Sequence, residues 1–375
     1  MKVIAYYLPQ FHATKENDEW WGKGFTEWVN VKNATRYYEG QYQPREPLND
    51  NYYNLLCNDV KRWQVDLAKK NGIYGFCFYH YWFSDGHLLL EKPVEQFLYN
   101  KDLDINFCIC WANEPWTKAW VSKSDLILID QDYGDEVVWK KHFEYLLRFF
   151  NDNRYIKNNN KPLLVLYKPE QIGCLDEMLD YWDNLAKEAG FDGIEYAYQA
   201  IGLDLKSNKD DSRFTYNIEY EPSYGMHDLE NGSKRLAVKL GKILDSITYA
   251  LFKKKLSELY LNKVRILKYD DVWNAIINHV PSSDKCVAGA FVDWDNTPRR
   301  GTKGLVIDGA SPDKFKVYFD KRVKVTKSRY KSDMIFIFAW NEWAEGGYLE
   351  PDKKYKDGYL KAIREVLLDN DEWPE

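Results

Sequence analysis

Short, almost wholly apolar runs recur along this 375-residue chain with helical periodicity between them, and that alternation constrains the fold more than any other feature. Strands are predicted near Val3–Leu8, Ile73–Tyr79, Asn106–Trp111, Leu163–Tyr167, Ile194–Tyr198, Phe214–Ile218, Val287–Val292 and Met334–Trp340. Their near-continuous hydrophobicity is what a parallel sheet covered on both faces requires. Apolar residues at three- and four-residue steps predict helices over Leu55–Lys70, Val137–Phe150, Leu175–Ala189 and Tyr359–Leu368. The first of these stops at Asn71-Gly72, a helix-ending pair. A long basic stretch, Leu236–Tyr260, reads as a solvated helix face. No G-x-G-x-x-G or G-x-x-x-x-G-K-[ST] follows a strand, which disfavours an open dinucleotide- or phosphate-binding sheet. The expected architecture is an α/β chain forming a (β/α)8 TIM-type barrel, with residues 1–375 as one enlarged catalytic domain.

In such barrels the site lies at the C-terminal ends of the strands, where connecting loops can lengthen. Two connections here are long, Gln10–Asn51 after the first strand and Glu219–Asp270 after the sixth. Polar and aromatic residues gather where the strands end. Tyr7, His12, Glu27 and Trp28 follow the first, and His80 and Trp82 close the second. Trp111, Asn113, Glu114 and Trp116 follow the third, Tyr167 ends the fourth, and Trp294 follows the seventh. The last strand runs into Trp340-Asn341-Glu342-Trp343-Ala344-Glu345.

Aromatic residues make up 17% of the chain, a composition that suits either a large aromatic core or platforms for sugar rings. Set at one rim beside carboxylates and amides, they favour the second use. The net charge of -6, spread over both signs, gives no case for nucleic acid or an anionic membrane as partner. No apolar run approaches the roughly 18–20 residues of a membrane span. The six cysteines lack metal-ligand spacing and read as reduced thiols, so the chain is expected to be soluble and cytoplasmic.

Glu342 and Glu345 are the best candidate pair for glycoside chemistry, in which one carboxyl protonates the leaving oxygen and another meets the charge developing at the anomeric carbon. Glu345 could instead simply favour a helix N-terminus. Neither G-x-S-x-G nor H-E-x-x-H occurs, and no metal or cofactor is called for. His142 and His279, in helical stretches, read as structural or surface residues.

Five segments carry a family resemblance. Tyr6-Tyr7-Leu8-Pro9-Gln10-Phe11-His12, the run from Glu19 to Trp28, and the run from Gly75 to Trp82 resemble the WbsX family. So do Cys110-Trp111-Ala112-Asn113-Glu114-Pro115-Trp116 and the run from Asn341 to Gly346 with Tyr348-Leu349-Glu350-Pro351. Members are often labelled glycosyltransferases of O-antigen or capsule synthesis and are grouped with the endo-α-mannosidase-like hydrolases of family 99. The resemblance implies a (β/α)8 barrel with a Glu-Trp-x-Glu segment after the last strand. It implies for Glu342 the role of a base toward the substrate 2-hydroxyl, through a 1,2-anhydro sugar, and for Glu345 that of acid/base at the leaving oxygen. Ala344 stands where those hydrolases commonly have His.

The leading expectation is therefore a retaining glycoside hydrolase or transglycosidase acting on an oligosaccharide or polysaccharide of bacterial origin. A sugar-nucleotide-dependent glycosyltransferase is the alternative, with Asp293-Trp294-Asp295 as a D-x-D and Arg299-Arg300 close behind. A non-catalytic glycan-binding protein is the third.

Overall fold

The computed structural model describes residues 1–117, 127–201, 211–233 and 264–374. Eight parallel strands form a closed barrel. They are β1 (Lys2–Tyr7), β2 (Ile73–Trp82), β3 (Asn106–Trp111), β4 (Lys161–Leu166), β5 (Glu195–Ala200), β6 (Tyr216–Glu219), β7 (Cys286–Phe291) and β8 (Met334–Phe338). Each pairs with its neighbours in sequence, and β1 closes the ring by pairing with both β2 and β8. The sequence-based strand bounds shift by no more than a few residues. The largest extension is β2, which continues through Tyr81 and Trp82.

Eight helices longer than two turns pack outside among the described residues: α1 (Asn58–Lys70), α2 (Glu91–Tyr99), α3 (Glu136–Phe150), α4 (Leu175–Glu188), α5 (Ser223–Ser233), α6 (Tyr269–Asn278), α7 (Pro312–Arg329) and α8 (Gly358–Asp369). In α3 the Asp135 side chain accepts from the Val137 amide at the N-cap, and Trp139, His142, Phe143, Leu146 and Phe150 form the buried stripe. Helix α7 escaped the periodicity reading because charged residues interrupt its stripe. Its buried face, Phe315, Tyr318, Phe319, Arg322, Val323 and Thr326, includes an arginine. The basic stretch Leu236–Tyr260 lies outside the described residues.

That arginine is the centre of a polar knot between barrel and helices. Arg322 donates to the Gly289 carbonyl at 2.8 Å, to the Tyr330 hydroxyl at 3.0 Å and to Glu219 Oε2 at 2.8 Å. His279 Nε2 lies 3.3 Å from the other Glu219 oxygen. Burial alone would raise the Glu219 carboxyl, but the His279 hydrogen bond and the Arg322 charge hold it below the usual value. Gly289 is required here, since a Cβ would sit 1.7 Å from the Glu219 carbonyl oxygen.

The six cysteines are free. Among the described residues, no helix is long and apolar enough to cross a membrane.

Candidate active site

The chain leaving β8 turns sharply at the barrel mouth. Asn341 extends the β8–β1 contact past the strand end: its Oδ1 accepts from the Leu8 amide at 2.8 Å and its Nδ2 donates to the Leu8 carbonyl at 3.0 Å. Asn341–Glu342 then pairs antiparallel with Gly347–Tyr348 around a turn at Trp343–Glu345. Gly346 ends that turn with φ 74°, a left-handed conformation, and a Cβ there would meet the Asp295 amide at 2.8 Å. Trp343 stacks on Tyr348 with ring centroids 3.8 Å apart. Behind the turn Glu350 accepts hydrogen bonds from Trp340 Nε1, Trp343 Nε1, Tyr53 and Gln64, which fixes the segment from its buried side.

Glu342 and Glu345 meet a third carboxylate, Glu27, at one guanidinium. Arg299 donates from Nε to Glu27 at 3.1 Å, from Nη1 to Glu345 at 2.6 Å and from Nη2 to Glu342 at 3.0 Å. The planar fork lets one residue hold three acceptors. Glu27 opens a short helix in the long connection after β1, and its own amide donates to the Gln10 carbonyl at 3.2 Å. Arg299 sits on the short helix Thr297–Arg300, whose start is fixed by Asp295 accepting from Thr297.

Together these groups form one wall of a cavity of about 250 Å³ at the C-terminal ends of the strands. Tyr79, Tyr81, Tyr167 and Tyr220 line its barrel side, and Trp21, Phe25, Trp116 and Trp294 its upper walls. Tyr79 and Tyr220 join their hydroxyls at 3.3 Å. Burial pushes the Glu342 carboxyl up to about 8, with Glu345 and Glu27 adding to the rise and Arg299 opposing it. Replacing Arg299 by Met removes the opposing charge, so the Glu342 midpoint is expected to move upward from about 8. A titration of carboxyl-labelled glutamate by carbon NMR, assigned with Glu342→Gln, measures this; a fall in the midpoint contradicts the electrostatic account.

Of the residues singled out from the sequence, Glu27, Glu114, Trp116, Tyr167, Trp294, Glu342 and Glu345 line this cavity. The others do not, and each has another partner. Tyr7 donates to Gln64 on α1, and Trp28 Nε1 donates to the Tyr53 carbonyl. His12 faces the Pro9 carbonyl, and burial lowers its pKa to about 4. His80 pairs with His142 at 2.9 Å, Trp82 stacks on His142, and Trp111 Nε1 donates to the Trp82 carbonyl. Asn113 clamps the Lys168 backbone, while Trp340 and Asn341 are consumed as described above. His142 is accordingly a buried structural residue.

Both aspartates of the D-x-D letters are engaged within the fold. Asp293 is paired with buried Arg45 at 2.7 Å, and Asp295 accepts from Gln41, Gln43 and Thr297. Neither aspartate lines the cavity. Tyr79, Tyr81 and Tyr220 stand in strand-end runs of the sequence without being singled out as site residues, and the bridging position of Arg299 was not identified from the sequence. The alternation along β2 was the available signal, because Tyr79 and Tyr81 share one face and His80 and Trp82 the other.

A family model described as Glycosyltransferase WbsX matches residues 3–363. The chain is 32% identical over 375 residues to the uncharacterized protein WxcX of Xanthomonas campestris pv. campestris, in strains ATCC 33913 and B100. The alignment takes in 97% of this chain and 49% of WxcX, so the chain spans about half the length of those relatives. Among solved structures it resembles the GH99 endo-α-mannosidase of Bacteroides thetaiotaomicron with a TM-score of 0.54 at 11% identity, covering 98% of this chain and 96% of that one. A glycoside hydrolase-like protein gives 0.57 at 13% identity, covering 97% and 93%. At these identities the likeness is one of fold.

Proposed function

This chain belongs to the WbsX glycosyltransferase family, and from that premise we propose that it is a retaining glycoside hydrolase or transglycosidase of bacterial polysaccharide, working through Glu342 and Glu345 as one catalytic unit. The observation that carries the reading is the single guanidinium of Arg299 holding both carboxylates, with Glu27, on the wall of an aromatic cavity.

In the proposed reaction, Glu342 takes the proton of the sugar 2-hydroxyl while that oxygen closes onto the anomeric carbon. The bond to the departing oxygen breaks as Glu345 protonates it. Glu345 then removes a proton from water, or from an acceptor hydroxyl, as that oxygen opens the strained ring at the anomeric carbon, and Glu342 returns its proton to O2. Two inversions give net retention. Desolvation suits Glu342 to the first step, since a stronger base abstracts a weakly acidic hydroxyl proton more readily.

The pH dependence follows from the same shift. Glu342 must be ionised to act as base, and its pKa is raised, so at pH 6 most of it is protonated. The expected kcat/KM falls about tenfold per pH unit below a midpoint near 8. A pH–rate profile checks this, and an acidic limb near the ordinary carboxylate range removes Glu342 from the role.

The second reading, a glycosyltransferase, has the family description and the presence of Arg300 on the cavity wall in its favour. A product assay separates the two. Purified protein is offered defined oligosaccharides and aryl glycosides, first alone and then with sugar nucleotides. Release of reducing sugar without a nucleotide is the expected result; turnover that requires a nucleotide donor overturns the hydrolase reading.

A further inference from the structure

The three carboxylates on Arg299 are not equivalent. Glu27 is 3% exposed, and both of its oxygens have protein donors. Oε2 accepts from Arg299 Nε at 3.1 Å and Oε1 from Asn30 Nδ2 at 3.4 Å. Its neighbour on the short helix Glu27–Lys32, Trp28, packs on Trp343 with ring centroids 5.4 Å apart and donates from Nε1 to the Tyr53 carbonyl at 2.8 Å. Trp343 directly follows Glu342, so this contact holds the helix of Glu27 against the turn that carries Glu342 and Glu345. Glu342 differs from Glu27. Its Oε2 accepts from Arg299 Nη2 at 3.0 Å, while Oε1 has no hydrogen bond among the described residues, on a residue that lines the cavity.

A guanidinium can give one carboxylate two parallel N–H groups, either along its side, from Nε and one Nη, or across its end, from both Nη atoms. The structure divides the side of Arg299 between two residues, with Nε on Glu27 and Nη2 on Glu342. At the end, Nη1 goes to Glu345 at 2.6 Å. Each carboxylate thus receives one N–H. A two-pronged pairing is the stronger arrangement, and Glu342 lies beside the edge that offers it. With Glu27 removed, the second oxygen of Glu342 would close on Nε.

We propose that Glu27 is a positioning residue: by occupying Nε of Arg299 it denies Glu342 a two-pronged pairing and keeps Oε1 of Glu342 open to the sugar. This rests on reading the cavity as a glycosidase site, and it assigns Glu27 a role exercised through Arg299 rather than through substrate. A second N–H on the charged form of Glu342 would also weaken it as a base. The groups facing Glu342 are Glu27 and Arg299 on the two short helices and Glu345 on its own turn. Tyr79, Tyr81 and Tyr220 face it as well, and burial raises all three hydroxyls, so they stay neutral across the working pH range.

The test compares Glu27→Gln with Glu27→Met on the whole chain. Both remove the charge and keep the length of the side chain, but only the glutamine still offers an oxygen to Arg299 Nε. The Glu342 midpoint is read by carbon NMR of labelled glutamate, which needs no substrate, so the result stands whatever the glycosidase assay returns. Glu27 adds to the rise of Glu342, so both variants should titrate below the parent. Glu27→Met is expected to fall at least about one pH unit below Glu27→Gln, a tenfold change in proton affinity. Where the chain turns over glycosides, kcat is expected to be at least about tenfold lower in Glu27→Met than in Glu27→Gln at a pH that ionises Glu342 in both. A purely structural role lowers the melting temperature and kcat and leaves the two midpoints together. Equal midpoints, or a higher one in Glu27→Met, overturn the proposal. Should Glu27→Met fail to fold, Glu27→Leu takes its place in the same comparison.

Discussion

Glu342→Gln is expected to lower kcat/KM by about 10³-fold or more while raising stability at neutral and alkaline pH. General acid–base groups contribute roughly 10²–10⁴-fold, and the amide keeps the size of the side chain and an oxygen for Arg299 without the ability to take a proton. The stability gain comes from the raised pKa. The folded state holds the Glu342 proton to about 8, against 4.5 for an ordinary glutamate. Its contribution to stability is therefore present below about 4.5 and is lost as pH rises through about 8. The uncharged amide avoids that loss, so the melting temperature of the variant should exceed that of the parent at pH 8 and approach it at pH 5. Activity within tenfold of the parent, or the same stability difference at both pH values, removes Glu342 from the proposed role. A gain in stability on losing a functional group is the expected sign of a site held against its own folding preference.

Arg322→Leu is expected to cost about 3–5 kcal/mol of folding stability, the range for breaking a buried ion pair by removing one partner. The leucine leaves Glu219 buried, and leaves the Gly289 carbonyl and the Tyr330 hydroxyl without their donor. The cost should depend on pH with a definite sign. In the parent the Glu219 pKa is depressed, so its contribution is present above the ordinary value of 4.5 and is lost as pH falls below it. Without Arg322 the same carboxyl is relieved by protonation, so the gap between parent and variant narrows on acidification. Denaturant unfolding at pH 7 and pH 4 measures both quantities. A cost under about 1 kcal/mol at pH 7 contradicts the ion-pair account.

The barrel itself was legible because apolar runs and helical periodicity are local properties, and eight such units in alternation leave few ways to cover both faces of a parallel sheet. The carboxylate pair was legible for a similar reason: Glu342 and Glu345 lie within four residues at the end of one strand, in a motif with aromatic neighbours. Helix α7 was not, because the arginine on its buried face is paid for by Glu219, a partner 103 positions away.

The parity of each strand end shows the boundary most clearly. Along β2, Tyr79 and Tyr81 line the cavity while His80 and Trp82 pack on His142 of α3. After β1, Leu8 and Gln10 face inward and Tyr7 faces Gln64 of α1. After β3, Ala112 and Glu114 face the cavity, whereas Trp111 packs on His142. After β6 it is Tyr220, with Glu219 turned to Arg322. A period of two sorts residues into two faces, but in a barrel both faces are buried and both carry aromatic and polar side chains, so composition does not say which is inner. The sequence alone determined the fold, the end of the barrel where the cavity opens and two of the carboxylates that line it. Closure of the sheet decided which of two alternating sets meets the cavity, and only that closure brings Arg299 from one strand end onto carboxylates from two others.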